Sequence, residues 1–231
     1  MAYFDLYVQT DQLKETVQLA RKLGWDGLGL IIPWTSEADL NSFRKSVKSM
    51  KPDIVVGVEL KVKKASKLRD MARNLRKKVE LIFVSGGDPE INRMALSTPE
   101  VDVLIHPWGE FQTLRSDPGF DHVGAKLGAK NNVFIQFSFG ELLHYNKRSR
   151  VQLLANMEKA ATLVRKFRTP FAITSGAKEP FDLRGPGNLL SFGRILGFQD
   201  PDIKKSMSDS IVRENRKRLG RKWVMPGVEI E

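Results

Sequence analysis

The sequence predicts a single α/β domain, residues 1–231, folded as a closed, TIM-like β/α barrel. Seven short apolar segments are typical of buried parallel strands, they alternate with helical segments, and the connections between them are short. About seven such units in a chain of 231 residues favour a closed barrel over an open sheet. The predicted strands are 2–8, 27–32, 53–62, 81–85, 101–105, 133–139 and 171–174.

Helical spacing and end signals predict a helix after each strand. Leu13, Val17 and Ala20 recur at helical spacing, and Gly24 is suited to end that helix. Ser36 is a predicted N-cap, and Pro89 suits the first turn of a later helix. The predicted helices span about 11–23, 36–50, 64–78, 121–130, 147–167 and 186–196, with further ones beginning near 89, 200 and 208 and a basic tail at the end.

Composition limits the class of protein. The chain is 41% hydrophobic and 28% charged, as in an ordinary globular protein. No apolar run approaches the ~20 residues of a membrane helix, and the first residues do not resemble a signal peptide. Because there are no cysteines, disulfides and thiolate metal sites are excluded. We therefore expect a cytoplasmic protein with no membrane partner.

The charge balance points to the kind of partner. A formal net charge of +11 favours a polyanion, most simply nucleic acid. No glycine fingerprint of a dinucleotide-binding fold follows the first strand, and no known base-reading motif is present. We therefore expect recognition of the shape and backbone of a folded RNA.

Three groups of basic residues could contact RNA phosphates. The helix at 64–78 carries Arg73 and Arg76, and the turn at 147–150 carries Arg148 and Arg150. The third group is the C-terminal run from Arg213 to Lys222. Taken singly, each group is most often a solvated helix face.

Three residues near predicted strand ends could form a metal site. Asp5 lies in the first strand, Glu59 in the third, and His106 directly after the fifth. One histidine and two carboxylates could hold Mg²⁺ or Mn²⁺ weakly, which would suit a metal-dependent phosphoesterase. Structural roles for these side chains are favoured, because a hydrolase site normally needs more converging ligands.

A long polar turn after the seventh strand is the most distinctive stretch. It carries Lys178 and Arg184, and Gly185 with Pro186 then opens a helix. A glycine-rich turn that leads into a helix N-terminus is a general anion site. The same features also suit a plain strand-to-helix connection, which is the commoner use of such a turn.

The residues in and around this turn also resemble those of a known protein family. Thr-Ser-Gly-Ala at 174–177, followed by Leu-Arg-Gly-Pro at 183–186 and Asn-Leu-Leu at 188–190, resembles a signature of the barrel-shaped protein subunit, component 3, of archaeal and eukaryotic ribonuclease P. Further matching segments are Asp5-Leu6, Gly24-Trp25, 57–59, 102–107 and the run 173–197.

The resemblance implies a distorted barrel related to the polymerase-and-histidinol-phosphatase (PHP) metallohydrolases. Gly57-Val58-Glu59 and Ile105-His106-Pro107 look like relics of their ligand segments, whereas the first strand has Asp5-Leu6-Tyr7 in place of a His-x-His motif. Gln136 stands where the family often has glutamate. The resemblance therefore implies that Asp5, Glu59 and His106 are relic positions, with no catalytic residue and no metal ion in this chain.

The resemblance also implies the partners. It implies a non-catalytic subunit that stabilises the RNA subunit of ribonuclease P, which removes the 5′ leader from precursor tRNA and needs Mg²⁺ as a holoenzyme. A small ferredoxin-like protein subunit would pair with this chain. Lys178 and Arg184 are the first candidates for phosphate or partner contacts. The alternatives are the phosphoesterase named above and a barrel that acts only as a protein scaffold.

Overall fold

The computed structural model describes residues 2–110 and 113–219 and two short C-terminal strands. Seven strands form one parallel sheet in chain order, from β1 to β7. The strands are β1 (Phe4–Val8), β2 (Gly27–Pro33), β3 (Asp53–Leu60), β4 (Leu81–Ser85), β5 (Val103–Ile105), β6 (Phe134–Ser138) and β7 (Phe171–Thr174). The strands β8 (Trp223–Met225) and β9 (Val228–Glu229) form a separate antiparallel pair.

Helices cover the outside of the sheet, as the alternating sequence pattern predicts. They are α1 (Leu13–Lys22), α2 (Glu37–Val47), α3 (Leu68–Arg76), α4 (Pro89–Leu96), α5 (His122–Asn131), α6 (Phe139–His144), α7 (Lys147–Phe167), α8 (Pro186–Ile195), α9 (Asp200–Ser206) and α10 (Ser210–Leu219). The predicted caps are confirmed where Ser36 accepts a hydrogen bond from the backbone N–H of Asp39 and where Gly24 adopts a φ of 87°. None of the helices in the described part of the chain is long and apolar enough to cross a membrane.

The sheet curves into a nearly closed barrel, so the predicted TIM-like fold is confirmed. β1 and β7 lie side by side, but no continuous ladder joins them. Instead, the backbone N–H of Ser175 donates to Oδ1 of Asp5 at 3.1 Å, and that of Gln9 donates to the carbonyl of Ala177 at 2.9 Å. The barrel is therefore closed at this seam by contacts around the ends of the two strands.

Two apolar layers hold the barrel. The inner layer fills the barrel with side chains such as Tyr7 and Phe83, whose ring centroids are 5.1 Å apart. The outer layer lies between the sheet and the helices. Gly29 permits close packing of β1 on β2, because a Cβ there would lie 2.2 Å from the carbonyl oxygen of Leu6.

The C-terminal helix α10 closes the N-terminal end of the barrel. Its Ile211 and Val212 join the inner apolar layer. Arg216 forms ion pairs with Asp53 at 2.7 Å and with Glu80 at 2.6 Å, near the starts of β3 and β4. The basic run of this helix was predicted as an RNA-facing group, but Arg216 is used to hold the helix on the barrel. Arg221 and Lys222 of the same run lie outside the described residues.

A buried polar network joins α3, β5 and α10. Asp102 accepts hydrogen bonds from Nη1 of Arg76 at 2.6 Å, from Nδ2 of Asn215 at 2.9 Å and from the backbone N–H of Ile82 at 2.7 Å. Arg76 also donates to the carbonyls of Val79, Glu80 and Glu100 at 2.9–3.1 Å, and its side chain is only 11% exposed. The sequence predicted Arg76 as a phosphate contact, but its guanidinium is enclosed by the protein itself.

We predict that Arg76→Ala destabilises the protein by about 3–5 kcal/mol, because it leaves the buried carboxylate of Asp102 without its cation. Arg73→Ala is the matched control on the same helix. Arg73 pairs with Glu100 on the surface and is 59% exposed, so its loss costs about 1 kcal/mol or less. Urea unfolding of the two variants measures both values. Equal stability of the two variants would contradict the structural role of Arg76.

Candidate functional site

The C-terminal ends of the barrel strands surround a polar cavity of about 150 Å³. This is the end of the barrel where β/α-barrel proteins place their functional residues. The cavity lining includes charged side chains from four places in the chain, namely Glu59 and Lys61 at the end of β3, His106 and Glu110 after β5, Glu141 in α6, and Lys178 after β7. Of the candidates from the sequence, Glu59, His106 and Lys178 are thus brought together.

The carboxylate of Glu59 is already occupied by protein donors. It is 2% exposed and accepts hydrogen bonds from Tyr7 Oη at 3.1 Å, from Gln9 Nε2 and from Ser85 Oγ. Nζ of Lys61 lies 3.4 Å from it and also pairs with Glu110 at 2.8 Å. A carboxylate with this many donors is a structural anchor of the cavity rather than an open metal ligand.

His106 is held next to a second buried carboxylate. Its Nδ1 lies 3.2 Å from Oε1 of Glu141, whose other oxygen accepts from Trp108 Nε1 at 2.8 Å. Burial lowers the pKa of His106, but the carboxylates of Glu141, Glu59 and Glu110 outweigh this effect and raise the pKa above its ordinary value. His106 also adopts a φ of 50°, in the left-handed region that few residues other than glycine occupy.

Asp5 lies in the barrel seam and is not part of the cavity lining. It is fully buried, and burial raises its pKa from 3.8 to about 7 against the opposing effect of hydrogen bonds from Ser175 and Tyr7. Gln136 is also buried and donates to Thr174 Oγ1 at 2.9 Å. The three relic positions therefore do not converge. Within residues 2–110 and 113–219, no three His, Cys, Asp or Glu side chains are grouped closely enough to hold a metal ion.

The turn after β7 is rigidly built. Oδ2 of Asp182 accepts from the backbone N–H groups of Lys178 and Glu179, both at 3.2 Å. Nη1 of Arg184 donates to the carbonyl of Phe181 at 2.7 Å and to that of Leu183 at 3.0 Å. Directly after it, α8 begins at Pro186 with Gly185 as its N-cap.

Two contacts fix Arg184 from outside this turn. Its guanidinium lies 5.5 Å from the ring centroid of Phe139, the first residue of α6, in cation–π geometry. Its carbonyl accepts from Trp25 Nε1 at 2.9 Å. The predicted cation Arg184 therefore has a fixed position beside the cavity, although it does not line it.

The first turn of α7 lies on the same rim. Nε2 of His144, at the end of α6, is 3.2 Å from Oδ2 of Asp182, which links the two segments. Three residues later α7 begins, with Arg148 exposed and Arg150 donating to the carbonyl of Tyr145 at 2.9 Å. We call the set Lys147, Arg148, Arg150, Lys178 and Arg184 the cationic rim.

Arg73 and Arg76 lie apart from the cationic rim. They belong to α3 on the outside of the barrel, where Arg73 pairs with Glu100 and Arg76 is enclosed. The helical spacing in the sequence only places both residues on α3. It could not show that Arg73 is exposed and that Arg76 is enclosed.

Sequence reasoning missed several residues of the site. Glu141 was missed because it lies in α6, which follows β6 with no turn signal between them. Tyr7, Lys61 and Glu110 were missed because only the closed barrel brings them to one cavity. Side chains alternate between the two faces of a strand, so Glu59 and Lys61 lie on the same side of the third predicted strand. This spacing could have predicted that Lys61 lies near Glu59.

A second basic surface also escaped the sequence analysis. A groove of about 580 Å³ at the end of α2 is lined by Arg44, Lys45, Lys48 and Lys51. Its carboxylate, Asp53, is already paired with Arg216. The three-residue spacing of the lysines was visible in the sequence.

Comparisons with known proteins identify relatives along most of the chain. The family model described as RNase P subunit p30 matches residues 2–219. Ribonuclease P protein component 3 of Methanothermobacter thermautotrophicus is 31% identical over 220 residues, covering 91% of this chain and 87% of the relative. The protein of the same name from Thermococcus kodakarensis is 38% identical over 172 residues, covering 74% of each chain.

Solved structures agree with these relatives. A chain in the cryo-EM structure of archaeal ribonuclease P with mature tRNA is 27% identical and superposes with a TM-score of 0.84, covering 97% of this chain and 96% of the other. A candidate histidinol phosphatase from Listeria monocytogenes is 15% identical with a TM-score of 0.52, covering 80% and 99% of the two chains. The second similarity shows the fold alone, and it agrees with the PHP-like barrel implied by the resemblance.

We predict that Asp5→Asn stabilises the protein at pH 8 by about 2–4 kcal/mol and has little effect at pH 4. Because the folded-state pKa of Asp5 is raised to about 7, the cost of a buried charge is absent below pH 4, grows as the pH rises towards 7, and is complete above it. Urea unfolding at both pH values measures the difference. An effect independent of pH would contradict the burial of an ionisable carboxyl at this position.

Proposed function

The chain belongs to the RNase P subunit p30 family, and we propose that it acts as a protein subunit of ribonuclease P. In this role it supports the RNA-catalysed removal of the 5′ leader from precursor tRNA by binding and stabilising the RNA subunit. The observation that carries this proposal is the similarity along 97% of the chain to a chain of archaeal ribonuclease P solved with mature tRNA.

The chain itself contributes no catalytic residue in this proposal. Glu59 is saturated by protein donors, and Asp5 lies in the seam outside the cavity. This arrangement supports the relic interpretation over the metal-dependent phosphoesterase. The Mg²⁺ that the holoenzyme requires then acts with the RNA and not with a ligand set of this chain.

The cationic rim is the proposed RNA-contacting surface. Lys178 and Arg148 are exposed, and neither forms a salt bridge with a described residue. Of the two acidic side chains of the turn, Asp182 is used by backbone N–H groups and by His144, and Glu179 caps the Pro180–Asp182 turn. Phosphates can therefore approach the rim without displacing an ion pair, and counterion release favours their binding.

Family membership supports the remaining partners of the proposal. The proposal includes precursor tRNA within the complex and a small ferredoxin-like protein subunit that pairs with this chain. It also includes a cytoplasmic location, where precursor tRNA would be met. The cysteine-free composition and the strong positive charge support this assignment.

Reconstitution tests the proposal directly. Precursor-tRNA cleavage by the RNA subunit is measured with and without this chain and its protein partner, and each component is assayed alone with Mg²⁺ or Mn²⁺. We expect stimulation only in the mixture. Cleavage by the isolated chain, abolished by His106→Ala, would instead establish the phosphoesterase.

We predict that Lys178→Ala and Arg148→Ala each weaken RNA binding about equally for all RNA sequences. The logarithm of the RNA association constant falls linearly with the logarithm of the salt concentration. Each lost phosphate contact should make this slope shallower by about 1. Lys204→Ala is the matched control, because it removes one exposed charge from α9, next to the N-terminal end of β1. Filter binding across a salt series measures the slopes. An unchanged slope for both rim variants would show that the rim does not contact RNA.

A further inference from the structure

The rim carries an apolar side chain that nothing in the protein covers. Phe181 is 86% exposed, and the other large apolar side chains that are similarly exposed in the described chain are Val151 and Ile195. Phe181 is the aromatic one of the three. A fully exposed phenylalanine forgoes the stabilisation that burial would give, so its position needs a reason outside the folding of this chain.

The backbone that carries Phe181 is fixed in advance. Phe181 is the middle residue of a single 3-10 turn, Pro180–Asp182, in which Glu179 and Asp182 form a reciprocal capping box. Its own carbonyl accepts from Nη1 of Arg184 at 2.7 Å. The ring is therefore presented from a rigid turn, which reduces the entropy lost when a partner binds.

Cations of the rim lie on both sides of Phe181 in the chain, and the two acidic side chains between them, Glu179 and Asp182, are used within the turn. Lys178 lies three residues before it and Arg184 three residues after it, and the contact between His144 and Asp182 brings the start of α7 to the same rim. Asp182 is occupied by three donors. An exposed aromatic ring flanked by cations that form no salt bridge is the arrangement with which proteins bind unpaired nucleotides, by stacking on the base and neutralising the flanking phosphates.

We propose that Phe181 is a stacking platform for an unpaired base of the RNA, with Lys178 and the first turn of α7 binding the neighbouring phosphates. This inference rests on the proposed function and deepens it, because it names single-stranded RNA as the ligand of the cationic rim. Stacking needs only the flat face of a base, so the contact selects for an unpaired nucleotide and not for a sequence.

Three substitutions of Phe181 distinguish a base from an apolar protein pocket. The chain with Phe181→Ala, Phe181→Leu or Phe181→Trp is combined with its protein partner, and the affinity of this pair for ribonuclease P RNA is measured at fixed salt. We expect the Ala and Leu variants to bind about 5- to 100-fold more weakly and the Trp variant to bind at least as well as wild type. Ile195→Ala, which removes an exposed apolar side chain from α8, should bind like wild type.

The outcomes separate this inference from the proposed function. If wild type stimulates cleavage but Phe181→Ala binds RNA normally, the stacking platform is wrong and the proposed function stands. If Leu restores affinity while Trp does not, an apolar protein pocket is the partner and the inference is again wrong. If wild type itself neither binds the RNA nor stimulates cleavage, both the stacking platform and the proposed function are wrong. The urea midpoint of each variant should match wild type, because the ring is exposed.

Discussion

The seam between β1 and β7 is the constraint on which the functional end of the molecule depends. Seven strands bring these two together without a continuous ladder, and Oδ1 of Asp5 spans the gap by accepting from the N–H of Ser175. The turn that carries Lys178 and Arg184 begins immediately after this bond. The buried carboxyl of Asp5 thus holds the start of the turn that carries Lys178 and Arg184, and its raised pKa is the electrostatic cost of that role.

The two charge types at the barrel mouth are arranged for different tasks. The carboxylates of Glu59 and Glu141 point inward and are bound by Tyr7, Ser85 and Trp108, which makes the cavity a framework. Of the rim cations, Arg148 is exposed, Lys178 is exposed at the edge of the cavity, and Arg184 braces the turn. A metallohydrolase needs open carboxylates and imidazoles that converge on an ion, whereas an RNA-binding subunit needs accessible cations on a rigid surface. The geometry matches the second.

The strand order, the caps and the barrel could be predicted because they depend on local patterns, such as the Ser36 cap and the Gly24 helix end. The roles of Arg76 and α10 could not, because both depend on Asp102 and Glu80, which only folding brings near. The antiparallel pair of β8 and β9 lies where a basic tail was expected, for the same reason: strand pairing is a property of the folded chain. The candidate site was predicted in its position and in three of its members, Glu59, His106 and Lys178, whereas Tyr7, Lys61, Glu110 and Glu141 were missed.

One measurement tests the central claim that the rim faces RNA. Because the chain has no cysteine, a single Lys147→Cys or Lys204→Cys substitution provides a unique attachment point for an iron chelate that cleaves nearby RNA. In the reconstituted complex, Lys147→Cys on the rim should cut ribonuclease P RNA at defined positions, and Lys204→Cys at the opposite end of the barrel should cut it weakly. Strong cleavage from Lys204→Cys with none from Lys147→Cys would contradict the account.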